Sequence, residues 1–216
     1  MSRSNEWRSA TLVADPMAQN LGKEWLTQQM YHNMHEPLAL LPAVRNDEEF
    51  YQFDLEASDE DKSFVGLERI QFTWPGTDTR LFHKTTPKGT FVNLLQGHFV
   101  EADRFIMVMR QVEHDEKYIC HPLQKQQHDL LWTEVRQVSP THILLRLVGR
   151  VSHIFRPATG FMSVDELAAL VGIDVTGIED DQKDAHVRRE IIRQSYAWFL
   201  SWQQRFMDLM HQSAAN

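Results

Sequence analysis

From Glu48 to Arg156 the pattern of apolar and polar positions changes to that of strands, short apolar-rich runs bounded by turn residues. Eight runs carry the pattern: 49–55, 64–74, 79–85, 90–101, 104–113, 116–120, 129–138 and 141–156. Turn-forming residues separate them, among them Ser58-Asp59-Glu60-Asp61, Pro75-Gly76, Pro87-Lys88-Gly89, Ala102-Asp103 and Ser139-Pro140. Turns this short join antiparallel neighbours, because a parallel pair needs a crossover of about a dozen residues. The last run is the clearest. Ile143, Leu145, Leu147, Val151 and Phe155 alternate with His142, Leu144, Arg146, Val148, Arg150 and Arg156, which predicts one apolar core face and one largely charged, mostly wet face.

On either side the period lengthens to that of a helix. Trp7 to Ala14 reads as a short strand. Asp15-Pro16 follows as an N-cap with proline in the first turn. Met17, Leu21, Trp25 and Met30 or Met34 then follow at helical spacing, and Pro37 is expected to end the helix. Leu38 to Val44 reads as a turn or helical fragment. Ser163 to Glu166 has the order of a capping box, opening a short helix that stops at Gly172. After an acidic loop from Asp174 to Asp184, a long helix is predicted from about Lys183 to His211. Val187, Ile191, Ile192, Trp198, Phe199, Trp202, Phe206, Leu209 and Met210 fall within roughly 140° of its circumference.

These elements predict an α+β fold in one domain, 1–216: an N-terminal strand and helix region over 7–46, an antiparallel β-meander of about seven or eight strands over 48–156, and C-terminal helices over 163–213. Two architectures accommodate them. A curved sheet can grip the long helix, or the strands can close into an up-and-down barrel, as in lipocalins, with helices outside. Both likenesses rest on the order of elements and on no motif. The aromatic face of the last helix favours the helix-grip arrangement.

The hairpin at 90–113 carries the strongest functional hint. A two-residue turn at Ala102-Asp103 sets Glu101 opposite Arg104, Val100 opposite Phe105 and His98 opposite Met107. One face then holds Leu94, Gln96, His98, Met107, Met109 and Gln111, and the other holds Leu95, Gly97, Phe99, Ile106, Val108 and Arg110. Both are largely apolar, so the hairpin is central. Methionines interrupted by Gln96 and His98 resemble the wall of a small-molecule pocket, apolar with a few aimed polar groups. A core whose polar groups are satisfied internally has the same composition. His153, on the apolar side of the last strand, and Trp198 and Trp202, on the long helix, are expected to line the same cavity.

Other candidate chemistry is thinner. His32, His35 and Glu36 could share a helix face, but their order differs from the zinc-protease pattern and no third ligand is placed by spacing; no metal site is expected. Cys120 precedes His121, and neighbours on a strand point apart, so a buried inert thiol is expected. There is no Gly-rich phosphate loop, no G-x-S-x-G and no dinucleotide-binding fingerprint, so no cofactor is indicated.

Composition adds limits. The chain has 216 residues and a formal charge of −8, which argues against a nucleic-acid surface. One cysteine permits no internal disulfide, and with no signal-peptide pattern at the N-terminus a cytoplasmic location is the expectation. No apolar run approaches the ~18 residues of a membrane span. The leading expectation is therefore a binder of a small, largely apolar molecule, held between meander and long helix. An enzyme of lyase, isomerase or cyclase type is the alternative, using His98 or His153 as acid–base with Arg110 or Gln96 orienting the substrate. A third is a protein-interaction module or homodimer, packing through Tyr196, Leu200 and Met207.

Overall fold

The computed structural model describes residues 10–41, 79–139 and 142–214. The candidate strands 49–55 and 64–74 and the start of the first strand lie outside the described residues. The described residues divide into two compact units, one of 10–41 with 79–139 and 142–161, the other of 162–214.

In the first unit, β1 (Thr11–Leu12), α1 (Pro16–His32) and α2 (His35–Leu38) precede the sheet strands β2 (Thr79–Thr85), β3 (Phe91–Val100) and β4 (Arg104–Gln111). Then come β5 (His114–Asp115), β6 (Asp129–Ser139), β7 (His142–Val151), β8 (Phe155–Arg156) and β9 (Gly160–Phe161). The main sheet has five strands in the order β2-β3-β4-β6-β7, every neighbouring pair antiparallel. The hairpin register is the one the turn at Ala102-Asp103 predicts, with Val100 opposite Phe105 and His98 opposite Met107.

The expected count of seven or eight meander strands and the closed barrel do not hold for the described residues. Their main sheet is open, with β2 and β7 at its edges. The run 116–120 is not a strand. The chain leaves the sheet after Gln111 and pairs through β5 in parallel with β1. Asp115 anchors this departure, accepting hydrogen bonds from Asn93 Nδ2 at 3.0 Å, Gln19 Nε2 at 3.4 Å and the Lys117 backbone N–H at 2.9 Å. A carboxylate that accepts from backbone two residues on forms a turn, which ends strand geometry.

Helix α1 begins as expected, with Asp15 accepting from the Ala18 N–H at 2.9 Å and Pro16 in the first turn. The apolar stripe read from the sequence is buried only at its end, at Met30 and Met34. Met17, Leu21 and Trp25 are 77%, 61% and 61% exposed, while Gln19, Leu26, Thr27 and Met30 are buried. Close approach decides this. A Cβ on Gly97 of β3 would stand 2.6 Å from Thr27 Cβ, so helix and strand touch where the strand has no side chain. The Thr27 hydroxyl turns back to the Lys23 and Glu24 carbonyls, at 3.0 Å each, leaving its carbon atoms to fill that contact. Beyond it, Met30, Met34 and Leu38 pack with Ile106, Val108 and Trp132, and Trp132 Nε1 donates to the Met30 carbonyl at 3.1 Å. Pro37 does not end α1. That helix stops at His32, and Pro37 sits in the separate turn α2.

The faces of β7 match expectation only in part: Val151 is buried and His142 and Arg150 are exposed as expected, but the middle of the strand departs from it. Ile143 and Leu147 are among the exposed apolar residues, whereas Val148 packs against the Met30–Trp132 cluster. Arg146, on that inner face, reaches buried Glu134 of β6. Arg104 Nη1 and Arg136 Nη2 approach the same carboxylate at 3.3 Å each. A charged strand face can thus be an inner face when its charges are paired.

In the second unit, α3 (Val164–Val171) has both bonds of the capping box, Ser163 with Glu166, and ends at Gly172 with φ 74°. Helix α4 runs Asp180–Ala214, starting earlier than expected, with Asp180 and Asp181 in the first turn, where acids suit the helix dipole. Lys183 ties the two helices by bonding Asp165 of α3 at 2.9 Å and Asp180 at 2.8 Å. Val187, Ile191 and Ser195 form the buried side of α4, and Trp198 and Leu200 are exposed. Among the described residues no helix is long and apolar enough to cross a membrane.

Candidate functional site

The sheet of the first unit has two faces. One receives α1 and α2. On the other, three adjacent strands present Leu94, Gln96 and His98 (β3), Met107, Met109 and Gln111 (β4), and Asp129, Leu131 and Thr133 (β6). Register makes these into rows. Gln111 lies across from Leu94, Met109 between Gln96 and Leu131, and Met107 between His98 and Thr133. Leu94, Met109 and Leu131 form an apolar cluster, with Phe82, Val92 and Met107 packed on it.

Polar side chains are set into this apolar wall, and several are not satisfied. Gln96 is 2% exposed, Gln111 4% and Thr133 7%. Gln96 Nε2 donates to Met107 Sδ at 3.1 Å and contacts His98 Nε2, but Gln96 Oε1 has no partner. Thr133 Oγ1 is unpartnered one strand beyond Met107. At the far end of the face the Gln111 Oε1 accepts from the Asn93 N–H at 3.2 Å, while Gln111 Nε2 is unpartnered. Buried polar atoms are normally paired, and each one left unpaired costs roughly 1–3 kcal/mol.

Asp129 opens β6 on the same face, two residues before Leu131. Among the described residues no hydrogen-bond donor or cation reaches its carboxyl, and burial pushes that carboxyl up to about 7. Neutral and ionised forms are then both populated near neutral pH.

The sequence-predicted residues divide accordingly. Gln96, His98, Met107 and Met109 come together on this face. His153 lies past the end of β7, where its ring meets Phe161 edge-on at 6.2 Å. Leu147, which faces Thr133 in the His98 row, is six residues before it, so the sheet does not bring His153 to His98. Trp198 and Trp202 belong to α4 of the second unit, where Trp202 tilts against Phe199 at 5.7 Å between ring centres. Arg110 is buried on the opposite face of the hairpin from His98 and Gln96, beside Leu95 and Leu130, so it does not join them.

Asp129 and Thr133 are what sequence reasoning missed on this face. The alternation Asp129-Leu131-Thr133 held the signal, a carboxylate and a hydroxyl in phase with an apolar face. A second arrangement was also missed. Buried Glu113 accepts from the Ala10 N–H at 2.5 Å and holds His128 Nδ1 at 2.9 Å, and the His128 ring stacks on Phe155 at 4.8 Å. The remaining motifs behave as local structure. Burial pushes the Cys120 thiol up, and the thiol donates to the His121 carbonyl at 3.4 Å. His32 closes α1 and His35 opens α2, so the two do not share one helix face.

Compared with known proteins, the chain matches no family model, no curated protein and no solved structure.

Proposed function

We propose that the chain binds a small, largely apolar molecule against the sheet face that carries Gln96, His98, Met107, Met109 and Thr133. The observation that supports this most is the pair of buried, unpartnered oxygens, Gln96 Oε1 and Thr133 Oγ1, set among methionines and leucines. A purely structural core would carry apolar atoms at these positions or pair the polar ones. A ligand that offers a hydroxyl or amide to the two oxygens and buries its remainder on Met107, Met109 and Leu131 satisfies both needs. Methionine suits the role, since its unbranched thioether adapts to ligand shape.

Native mass spectrometry of the protein purified from the cells that make it tests the reading, followed by denaturation to identify what is released. The expected result is an apolar molecule in stoichiometric amount, lost from the double variant Gln96→Leu, Thr133→Val while that variant stays folded by circular dichroism. A wild-type chain that carries nothing and takes up no alkyl alcohol at millimolar concentration would overturn it. A second reading, an enzyme on the same scaffold, is favoured by the Glu113–His128 pair, because a buried carboxylate holding one imidazole nitrogen leaves the other for acid–base work. If the released molecule is recovered unchanged after long incubation with the protein, that reading falls.

A further inference from the structure

We propose that the bound molecule carries two separated, uncharged polar groups: a carbonyl acceptor, of an ester or ketone, on the Gln111 amide, and a hydroxyl donor on the Gln96 amide, with an apolar body between them. This rests on the binding reading above and names the chemical class of its ligand.

Gln111 is 4% exposed, and its amide is held in one orientation. Its Oε1 accepts from the Asn93 backbone N–H at 3.2 Å, and a backbone N–H can only donate. The two ends of this amide are therefore not interchangeable, and Nε2 is the buried atom left without an acceptor. Gln96, 2% exposed, has the opposite need. Its Nε2 donates to Met107 Sδ at 3.1 Å, a thioether that can only accept, while Oε1 lacks a donor. One sheet face thus holds a buried donor without an acceptor and a buried acceptor without a donor, and the two are not bonded to each other.

Register sets their spacing. Gln111 lies across from Leu94 and is bonded beside it at Asn93, and Gln96 is three residues further along the same strand, about 10 Å. Between the two amides the face is Leu94 and Met109, with Phe82 packed on them. An apolar body laid over those side chains brings one end of the ligand to each amide. The row of Gln111 also decides the charge of that end. Its members on β2 and β3 are Phe82 and Leu94, neither of them a cation, and Asp129 stands one residue outward from Leu130, the partner of Arg110. A carboxylate there would give up its hydration beside an acid, in exchange for one neutral N–H. A carbonyl oxygen accepts the same bond without burying a charge. At the other end, Thr133 Oγ1 is buried and unpartnered two residues beyond Leu131, and it can share the ligand hydroxyl with Gln96.

Two isomers separate this from simple apolar binding. Methyl 8-hydroxyoctanoate and methyl 2-hydroxyoctanoate have the same atoms, but the second sets its hydroxyl beside the ester and cannot span the two amides. 1-Octanol probes the apolar site alone. Binding of all three is measured by calorimetry on the full chain and on Gln111→Glu, which keeps the oxygen that holds Asn93 and removes the N–H. On the wild-type chain the 8-hydroxy isomer is expected to bind about 10-fold tighter than the 2-hydroxy isomer, the effect of one further buried hydrogen bond. Gln111→Glu is expected to erase that difference. No advantage for the 8-hydroxy isomer, or an advantage that survives Gln111→Glu, would overturn the inference, while binding of 1-octanol would leave the site itself standing. Failure of all three to bind would remove the site as well. The comparison of isomers on the wild-type chain decides the matter even if the variant does not fold.

Discussion

Two acids on one strand, Asp129 and Glu134, show how environment divides a single residue chemistry. Glu134 is paired with arginines on the inner face, and Asp129, half-buried at the start of the strand, meets no balancing charge among the described residues. The consequence for Asp129 is a measurable linkage between pH and stability. Its carboxyl has a pKa near 3.9 in an unfolded chain and about 7 when folded. The folded state therefore holds the proton more tightly. Its contribution to stability is fully present below about pH 4 and is lost as pH rises through about 7. Asp129→Asn keeps the shape and removes the titration. We expect the variant to be more stable than wild type by about 2–4 kcal/mol at pH 8 and nearly equal to it at pH 4. Urea midpoints at the two pH values measure this directly. A constant difference across that range would show that Asp129 is not desolvated.

At the scale of elements, one glycine sets how α1 lies on the sheet. Gly97→Ala would place a Cβ 2.6 Å from Thr27 Cβ, a separation that real structures do not sustain. Helix and strand would have to move apart across a packed interface, at about 1–3 kcal/mol. Thr27→Gly removes the Thr27 Cβ, so the double variant Gly97→Ala, Thr27→Gly is expected to lose less than the sum of the two single variants. Urea unfolding of the three variants measures the coupling, and additive losses would count against the contact. The same contact explains what the sequence could and could not reveal. The ends of α1 and α3 were legible because Asp15-Pro16, the Ser163–Glu166 box and Gly172 act on their own turns. The hairpin register was legible because a two-residue turn leaves little freedom. The buried face of α1 was not, since Met17, Leu21 and Trp25 are the stronger hydrophobic stripe and only the approach to Gly97 selects the other side. The inner face of β7 was hidden in the same way, by pairing of Arg146 with a residue twelve positions earlier. Of the site, Gln96, His98, Met107 and Met109 followed from local alternation. Asp129 and Thr133 join them only through the β4–β6 register, which no local turn dictates.

For the molecule as a whole, the relevant quantity is the formal charge of −8, from 30 acidic residues against 22 basic ones. Such a charge attracts cations and repels anions over a distance set by salt, about 10 Å at 0.1 M ionic strength and about 3 Å at 1 M. It selects among ligands before any contact with the sheet face is made. Diffusional encounter between opposite charges is screened by salt. We therefore expect the association rate of a cationic probe, octylamine, to fall severalfold between roughly 0.02 and 0.3 M salt, with the dissociation rate changing little. Octanol should show neither change. Stopped-flow binding across that salt range measures both rates. Equal salt dependence for amine and alcohol would mean that the acidic surface does not guide the ligand.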